Sequence, residues 1–218
     1  MGVRPQTQAG KRNETNIINA PPVFFTSDTH FSEERCFTLT RRQFKNLDEM
    51  DEAIITNWNA AVKENDTVYH LGDFGNLLLA KKLNGKITLI LGNYETKDMK
   101  VNFGGDFEKF SEYLRGFGFH TVIEKSADIE IAGIPGEKIH LVHEPLDCNP
   151  NKFNLFGHIH STCMVKKFGL NVGISNFNYK PATVEEIIFY KEAIQKHYDE
   201  NVFCTEKNLK KSKKSCLT

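Results

Sequence analysis

The 218-residue chain is long enough for one sizeable α/β core and short for two independent enzymatic domains. With 39% hydrophobic residues, 26% charged residues and no formal net charge, its composition is that of a globular protein and excludes a disordered chain. Residues 1–20 and 204–218 are both net positive, so the body between them is acidic, which disfavours an extended nucleic-acid surface.

The five cysteines form no C-x-x-C pair, and their odd number fits reduced thiols better than a disulfide framework. The N-terminus lacks the apolar segment of a signal peptide, and no run of about 18 apolar residues occurs anywhere in the chain. The sequence therefore predicts a cytoplasmic protein without a membrane span.

Strands and helices alternate in the first half of the chain. Short apolar runs that end in polar motifs predict buried strands over residues 23–26, 67–71 and 86–91. Apolar residues three and four positions apart predict helices over residues 48–64 and, as a short stretch, around 76–83.

Strands cluster in the second half. They are predicted over residues 120–124, 127–132, 138–143, 153–157 and 169–173, with helices over 106–116 and 183–197. This order of elements predicts an α/β fold, specifically a four-layer α/β/β/α sandwich of two packed mixed sheets flanked by helices. We expect one domain over residues 21–203, between a flexible lead-in (1–20) and a flexible Lys-rich tail (204–218).

The candidate metal ligands are polar residues near the predicted strand ends: Asp28, His30, Asp73, Asn93, His143, His158 and His160. In the motifs Asp-Thr-His and His-Ile-His the outer residues are two positions apart, which puts both side chains on one face of an extended chain. Asp73 and Asn93 each follow a strand and a glycine, and the glycine permits a turn that directs the next side chain into a shared cleft.

The mixture of carboxylate, imidazole and amide groups suits divalent transition metals such as Mn, Fe, Zn, Co or Ni, whereas an all-oxygen set would favour Mg or Ca. Seven ligands are too many for one tetrahedral ion, but they suffice for two ions that share a bridging carboxylate. The sequence therefore predicts a centre with two divalent metals.

The blocks D-x-H, G-D, G-N, a lone histidine and G-H-x-H occur in this order. Over residues 23–190 the chain resembles the calcineurin-like metallophosphoesterases, and in particular their small bacterial and phage-type members. The resemblance implies one metal held by Asp28, His30, Asp73 and His160, and a second held by Asp73, Asn93, His143 and His158. It implies hydrolysis of a phosphoester by a metal-activated hydroxide. We expect manganese as the metal, with Fe, Zn, Ni or Co as alternatives.

The third block departs from the pattern G-N-H-D of many family members, because Tyr94 and Glu95 follow Asn93. Tyrosine has an unperturbed pKa of about 10 against about 6.5 for histidine, so Tyr94 is a less apt general acid near neutrality. We therefore expect a phosphodiesterase that prefers small nucleotide-type diesters, cyclic phosphates or pyrophosphates to alkyl monoesters. The expected catalytic residues are Asp73, Asn93 and Tyr94, with Glu144 as an alternative to Tyr94.

Arg42 is expected to contact the substrate phosphate together with Asn93, because a guanidinium binds phosphate bidentately; an ordinary surface arginine is the alternative. A phosphomonoesterase, a nucleotide pyrophosphatase or a nuclease would use the same metals. The chain lacks a large cap or an obvious nucleic-acid channel, so nucleic acid is the disfavoured partner and a small phosphoester the expected one. A scaffold or binding protein that kept the fold is a further alternative, and the sequence leaves the oligomeric state open.

Overall fold

The computed structural model describes residues 21–198, which form two five-stranded mixed sheets. The first sheet consists of β1 (Val23–Thr26), β2 (Thr67–His70), β3 (Lys86–Ile90), β4 (Thr121–Ile123) and β10 (Ala182–Thr183). Its strand order is β10-β1-β2-β3-β4, with β1 to β4 parallel and β10 antiparallel to β1. The predicted lead-in (1–20), the tail (204–218) and the end of the predicted domain at residue 203 lie outside the described residues.

The second sheet consists of β5 (Ser126–Glu130), β6 (Lys138–Val142), β7 (Asn154–Phe156), β8 (Val165–Lys166) and β9 (Gly169–Asn171). Its strand order is β5-β6-β7-β9-β8. The three inner strands run parallel, and both edge strands are antiparallel to their neighbours. Each sheet therefore has a set of parallel strands whose carboxyl ends lie together.

The helices are α1 (Arg35–Leu39), α2 (Leu47–Ala61), α3 (Asn93–Phe103), α4 (Phe107–Arg115) and α5 (Val184–His197). Helix α2 begins where the Asn46 side chain accepts a hydrogen bond from the Glu49 N–H, which satisfies one of the free donors of the first turn. It buries Met50, Ile54 and Trp58, which are four positions apart and so lie on one face. This face anchors α2 on the first sheet.

Both faces of the first sheet are covered by apolar side chains. On β1, Phe24 belongs to the cluster that contains Trp58 of α2, whereas its neighbour Phe25 belongs to a second cluster with Leu155 of β7. Helix α5 adds Ile187 to this second cluster, and it contacts β1, β9 and β10. The predicted α/β class, with two packed mixed sheets and helices, is confirmed.

Several local predictions differ from the structure. Helix α3 was not expected, because Glu95 and Met99 are its only buried residues, and its sequence lacks the apolar spacing that marks an amphipathic helix. The predicted helical stretch around 76–83 is a 3-10 helix at Leu77–Lys82. The short elements α1, β8 and β10, of two to five residues each, also went unpredicted.

Two findings bear on the expected environment of the chain. Within residues 21–198, Cys36, Cys148 and Cys163 are free thiols. In the same part of the chain, no helix has the combined length and apolar character that crossing a bilayer requires.

Candidate metal centre

The seven predicted ligands lie at the carboxyl edges of the two sheets. Asp28, Asp73 and Asn93 follow β1, β2 and β3 of the first sheet, while His143 and His158 follow β6 and β7 of the second. Because the parallel strands of both sheets point their carboxyl ends toward the same region, side chains that are far apart in sequence converge. The structure brings all seven predicted ligands together.

The prediction that the two His-containing motifs are extended is wrong. The backbone is left-handed, with positive φ, at Asp28 (55°), His30 (46°), Asp73 (57°), His158 (68°) and His160 (49°). These are five of the nine non-glycine residues with positive φ in the described chain, so strained backbone concentrates at the site. Hydrogen bonds from Asp28 N to Gly72 O (3.0 Å) and from His30 N to Asp73 O (3.1 Å) hold the first two loops together.

Thr29 connects the same two loops through its side chain. Its hydroxyl donates to the Phe74 carbonyl (2.8 Å) and accepts from Nε2 of His70 (3.0 Å). Burial is the largest influence on His70 and lowers its pKa to about 3, so the ring is neutral and can be a donor at this nitrogen. His70 therefore supports the loop that carries Asp28 and His30.

The ligand atoms form two groups. Asp28, His30 and His160 form one, and Asp73, His143 and His158 form the other, each with its atoms within 4.8 Å of one another. Asp73 Oδ2 lies 3.7 Å from His30 Nε2 in the first group and 3.4 Å from His143 Nε2 in its own. This oxygen therefore lies near ligand atoms of both groups.

Two histidines have their tautomers set by neighbouring acceptors. His143 Nδ1–H donates to the Leu71 carbonyl (2.6 Å), and His30 Nδ1–H donates to the Glu33 carboxylate (3.1 Å). Each bond directs Nε2 at the centre, where the neutral ring would present its lone pair to a metal, which is the usual arrangement for a metal-binding histidine. Glu33 was not among the predicted site residues.

Side-chain oxygens of Asn93 and Asp73 face histidine nitrogens across this centre. Asn93 Oδ1 lies 3.0 Å from both His143 Nε2 and His158 Nδ1, and Asp73 Oδ2 lies close by. Burial lowers the pKa of His143, but the hydrogen bond to Asp73 and the nearby charge of Asp28 outweigh it and raise the pKa to about 9. The raised pKa shows that the carboxylates of Asp73 and Asp28 make this centre favourable for positive charge.

Two further atoms fit a pair of cations. His30 Nε2 and His160 Nδ1 are buried and have no hydrogen-bond partner among residues 21–198. Buried polar atoms are normally satisfied, so each needs a partner such as a metal ion. The mixed carboxylate, imidazole and amide donors suit divalent transition metals.

Asp28 is fixed by its neighbours. The Ser27 hydroxyl donates to Asp28 Oδ2 (2.6 Å), and the His158 N–H donates to the same carboxylate (3.0 Å). These contacts need a close approach of the two loops at Gly157, where a Cβ atom would overlap Ser27 Oγ and lie 2.5 Å from Asp28 Oδ2. A glycine is therefore required at this position.

Gly157→Ala should destabilise the protein by about 1–3 kcal/mol, as overpacking of a close contact typically does. It should also weaken metal binding, because the methyl group displaces the Asp28 carboxylate. Thermal unfolding and metal content by mass spectrometry measure the two effects. Ser161→Ala, an exposed change in the same loop, is the control; equal behaviour of the two variants would contradict the steric argument.

Glu95 holds the turn that carries Asp73. Its Oε2 accepts from the N–H groups of Asp73 (2.9 Å) and Gly92 (2.9 Å), and its Oε1 accepts from Phe74 N–H (2.8 Å). Burial, and then the charge of Asp73, raise the pKa of Glu95, while the backbone donors lower it. The sequence pointed to this residue only as a departure from the family pattern.

Arg42 does not occupy the position expected of a phosphate-binding residue. Its side chain is buried, and its guanidinium donates to the carbonyls of Thr29 and Asp28 (both 2.6 Å) and to the Ser175 hydroxyl (3.1 Å). Because all three guanidinium nitrogens have partners within the protein, Arg42 clamps the Asp28 loop. The structure contradicts the expected contact with substrate.

Tyr94 lies beside the centre. Its N–H donates to Asp73 Oδ1 (3.1 Å), and its ring meets the His30 ring edge-on at 5.3 Å. The hydroxyl is buried without a hydrogen-bond partner among the described residues. The guanidinium carbon of Arg35, which the sequence did not single out, lies 5.3 Å from the centroid of the Tyr94 ring.

Two cavities flank the ligand groups. One, of about 460 Å³, is lined by ligand residues such as Asp73 and His158 together with Tyr94. The other, of about 760 Å³, is lined by His143 together with Glu144, the predicted alternative to Tyr94, and by lysines of α3. Asn93 lines both, so it lies at their junction. Fold and site thus define an α/β protein built around two groups of metal-type ligands between two cavities.

Comparison with known proteins agrees with this class. Residues 21–201 match the calcineurin-like phosphoesterase family. The chain is 29% identical over 187 residues to the uncharacterized protein MJ1445 of Methanocaldococcus jannaschii, across 76% of this chain and 89% of that protein. Its fold is similar to the crystal structure of a protein of unknown function, AQ665 from Aquifex aeolicus, with a TM-score of 0.57 and 25% identity, over 78% and 98% of the respective chains.

The chain belongs to the calcineurin-like phosphoesterase family. Members of this family are metal-dependent hydrolases of phosphoesters that use a dinuclear divalent metal centre, and this protein is a metal-dependent phosphoesterase. The assignment favours an enzyme over the alternative of a scaffold protein.

Proposed function

We propose that the protein is a phosphodiesterase that acts on small nucleotide-type or cyclic phosphate substrates, with manganese as the favoured metal. The observation that supports this choice is the position of the ligand groups between two cavities that meet at Asn93. A phosphodiester has two substituents on its phosphorus, and each needs space on its own side of the reacting atom. Cavities of about 460 and 760 Å³ are each of a size that holds a small-molecule ligand.

In this proposal Asp28, His30, Asp73 and His160 would hold one ion, and Asp73, Asn93, His143 and His158 would hold the other. The ions would polarise the phosphoryl oxygens and lower the pKa of water. Asn93 Oδ1 faces two histidines, which leaves its Nδ2–H groups to donate to a phosphoryl oxygen. Glu33 and the Leu71 carbonyl keep their histidines in the tautomer that a metal requires.

The environment of Tyr94 supports the preference for diesters. Its hydroxyl is buried without a hydrogen-bond partner among the described residues, and a phenol is in general a weaker acid than an imidazolium, so a tyrosine here is a poorer source of protons for a departing alkoxide than a histidine would be. A substrate whose leaving group tolerates negative charge depends less on such a proton. Alkyl monoesters, which depend on it most, should be the poorest substrates.

Matched substrates test the proposal. The Mn-loaded full chain should hydrolyse the p-nitrophenyl diester of thymidine 5′-phosphate with a kcat/KM about tenfold or more above that of p-nitrophenyl phosphate, a difference of 1.4 kcal/mol or more. The leaving group is identical in the two substrates, so the ratio isolates the second ester arm. Cyclic nucleotides, pyrophosphate, glycerol phosphate and single-stranded DNA complete the panel. Faster hydrolysis of the monoesters, or of DNA, would refute the proposed substrate class.

A further inference from the structure

Arg35 brings an unpaired cation to the smaller cavity. It is exposed at the start of α1 and lines the cavity of about 460 Å³ together with ligand residues such as His158 and His160. Its side chain has no ion pair within residues 21–198, and the close contact that it makes there is with the face of the Tyr94 ring, 5.3 Å from the guanidinium carbon to the ring centroid. The two arginines of this segment thus differ, because each guanidinium nitrogen of Arg42 donates to a partner within the protein.

The Tyr94 ring is itself fixed by the metal-type ligands. The Tyr94 N–H donates to Asp73 Oδ1 (3.1 Å), and the edge-on contact with His30 holds the ring at 5.3 Å. A guanidinium within about 6 Å of an aromatic centroid is attracted to the ring face. His30, Tyr94 and Arg35 therefore form a series in which the ring connects the ligand group to the cation.

We propose that Tyr94 is a positioning residue whose ring holds Arg35 over the centre, and that Arg35 is the cation that binds the substrate phosphate. This inference rests on the proposed function, because it assigns the phosphate contact for that reaction. An arginine stacked on a ring keeps its N–H groups in the guanidinium plane, where they can bind two phosphoryl oxygens at once. The stack thus orients the guanidinium without using its donors.

The inference assigns Tyr94 a different role from the histidine of the G-N-H-D pattern. A general acid needs its hydroxyl, whereas a platform needs only its ring. The Tyr94 hydroxyl has no partner among the described residues, so its removal leaves no donor or acceptor unsatisfied. Tyr94→Phe removes only the hydroxyl and Tyr94→Ala removes the ring as well, so the two variants distinguish a general acid from a platform.

The test uses Mn-loaded full-length protein and the p-nitrophenyl diester of thymidine 5′-phosphate. Arg35→Ala should lower kcat/KM about 10- to 100-fold, mainly through KM, as the loss of a charged hydrogen bond does. Arg35→Lys should restore only part of this loss, because an ammonium is a point charge.

The Tyr94 variants test the platform. The kcat/KM of Tyr94→Phe should stay within about twofold of wild type, whereas that of Tyr94→Ala should fall about two- to fivefold, as the loss of a cation–π contact predicts. Arg115→Ala, an exposed arginine on α4, is the control and should be unchanged.

A double variant and a binding measurement complete the design. Arg35→Ala/Tyr94→Ala should be no worse than Arg35→Ala alone, since Tyr94 acts through Arg35. Inorganic phosphate, measured by calorimetry, should bind Arg35→Ala about 10- to 100-fold more weakly at unchanged metal content. A loss in Tyr94→Phe equal to that in Tyr94→Ala, or wild-type phosphate binding in Arg35→Ala, would overturn the inference. A wild-type protein that cleaves no diester would refute the proposed function alone, because phosphate binding still tests Arg35.

Discussion

Asp73→Asn should reduce kcat/KM on a phosphodiester by about three orders of magnitude or more, since a metal ion contributes several kcal/mol to the transition state. Asp73 Oδ2 lies between Nε2 of His30 (3.7 Å) and Nε2 of His143 (3.4 Å), one in each ligand group. Asparagine keeps the shape of the side chain and the Oδ1 acceptor for Tyr94 N–H, but it removes the negative charge that two cations would share in the proposed centre. Metal content should fall below two ions per chain.

The measurement combines steady-state kinetics with metal analysis by mass spectrometry after manganese loading. Asp66→Asn is the matched control, because Asp66 is also a buried carboxylate that accepts a backbone N–H, that of Lys63 (2.7 Å), at the turn between α2 and β2. Asp66→Asn should cost stability and leave metal content unchanged. If Asp73→Asn binds two metals and keeps its activity, the bridging role is wrong.

The candidate ligands could be found from sequence because their positions follow from strand order. Parallel strands bring their carboxyl ends to one edge, so a polar residue shortly after each buried strand must lie near the others. Asp73 follows β2, Asn93 follows β3 and His143 follows β6, and each strand was visible as a short apolar run. The ligands of the two sheets come together because the sheets pack face to face.

The supporting residues could not be found in this way. Arg35 and Arg42 lie seven positions apart in one segment, and only tertiary structure shows that Arg42 is buried under the Asp28 loop while Arg35 lies over Tyr94. The left-handed backbone at Asp28 was equally hidden, since a non-glycine residue carries no sequence mark for positive φ. Such features depend on contacts between distant segments, which periodicity does not report.

Glu95→Ala should be the most destabilising of the proposed substitutions, at roughly 4 kcal/mol, because it leaves three buried N–H donors without an acceptor at about 1–3 kcal/mol each. These donors belong to Asp73, Phe74 and Gly92, and Glu95 itself is only 6% exposed. The melting temperature should fall by roughly 10 °C in a domain of this size. Metal affinity or activity should fall about 10- to 100-fold, as it does when the residue that orients a metal ligand is lost.

Two further variants, Glu95→Gln and Glu186→Ala, separate the role of Glu95 at the Asp73 turn from its role as a helix cap. Glu95→Gln keeps one oxygen for the two donors at Oε2 and turns its amide toward Phe74 N–H, so it should lose about 1–3 kcal/mol. Glu186 of α5 occupies the same third helical position and accepts the Thr183 N–H (2.8 Å). Unlike Glu95, it accepts no N–H from a candidate metal ligand in the part of the chain that the structure describes. Glu186→Ala should therefore cost about 1 kcal/mol, as the loss of a cap does, with full metal content and activity. Denaturant unfolding, metal analysis and diesterase rates on the three variants give the comparison. Glu95 and Glu186 both cap their helices. Any loss of stability and metal content in Glu95→Ala beyond that in Glu186→Ala therefore measures what the Glu95 carboxylate contributes by fixing the Asp73 turn. Equal losses in the two variants would show that the carboxylate contributes nothing to that turn.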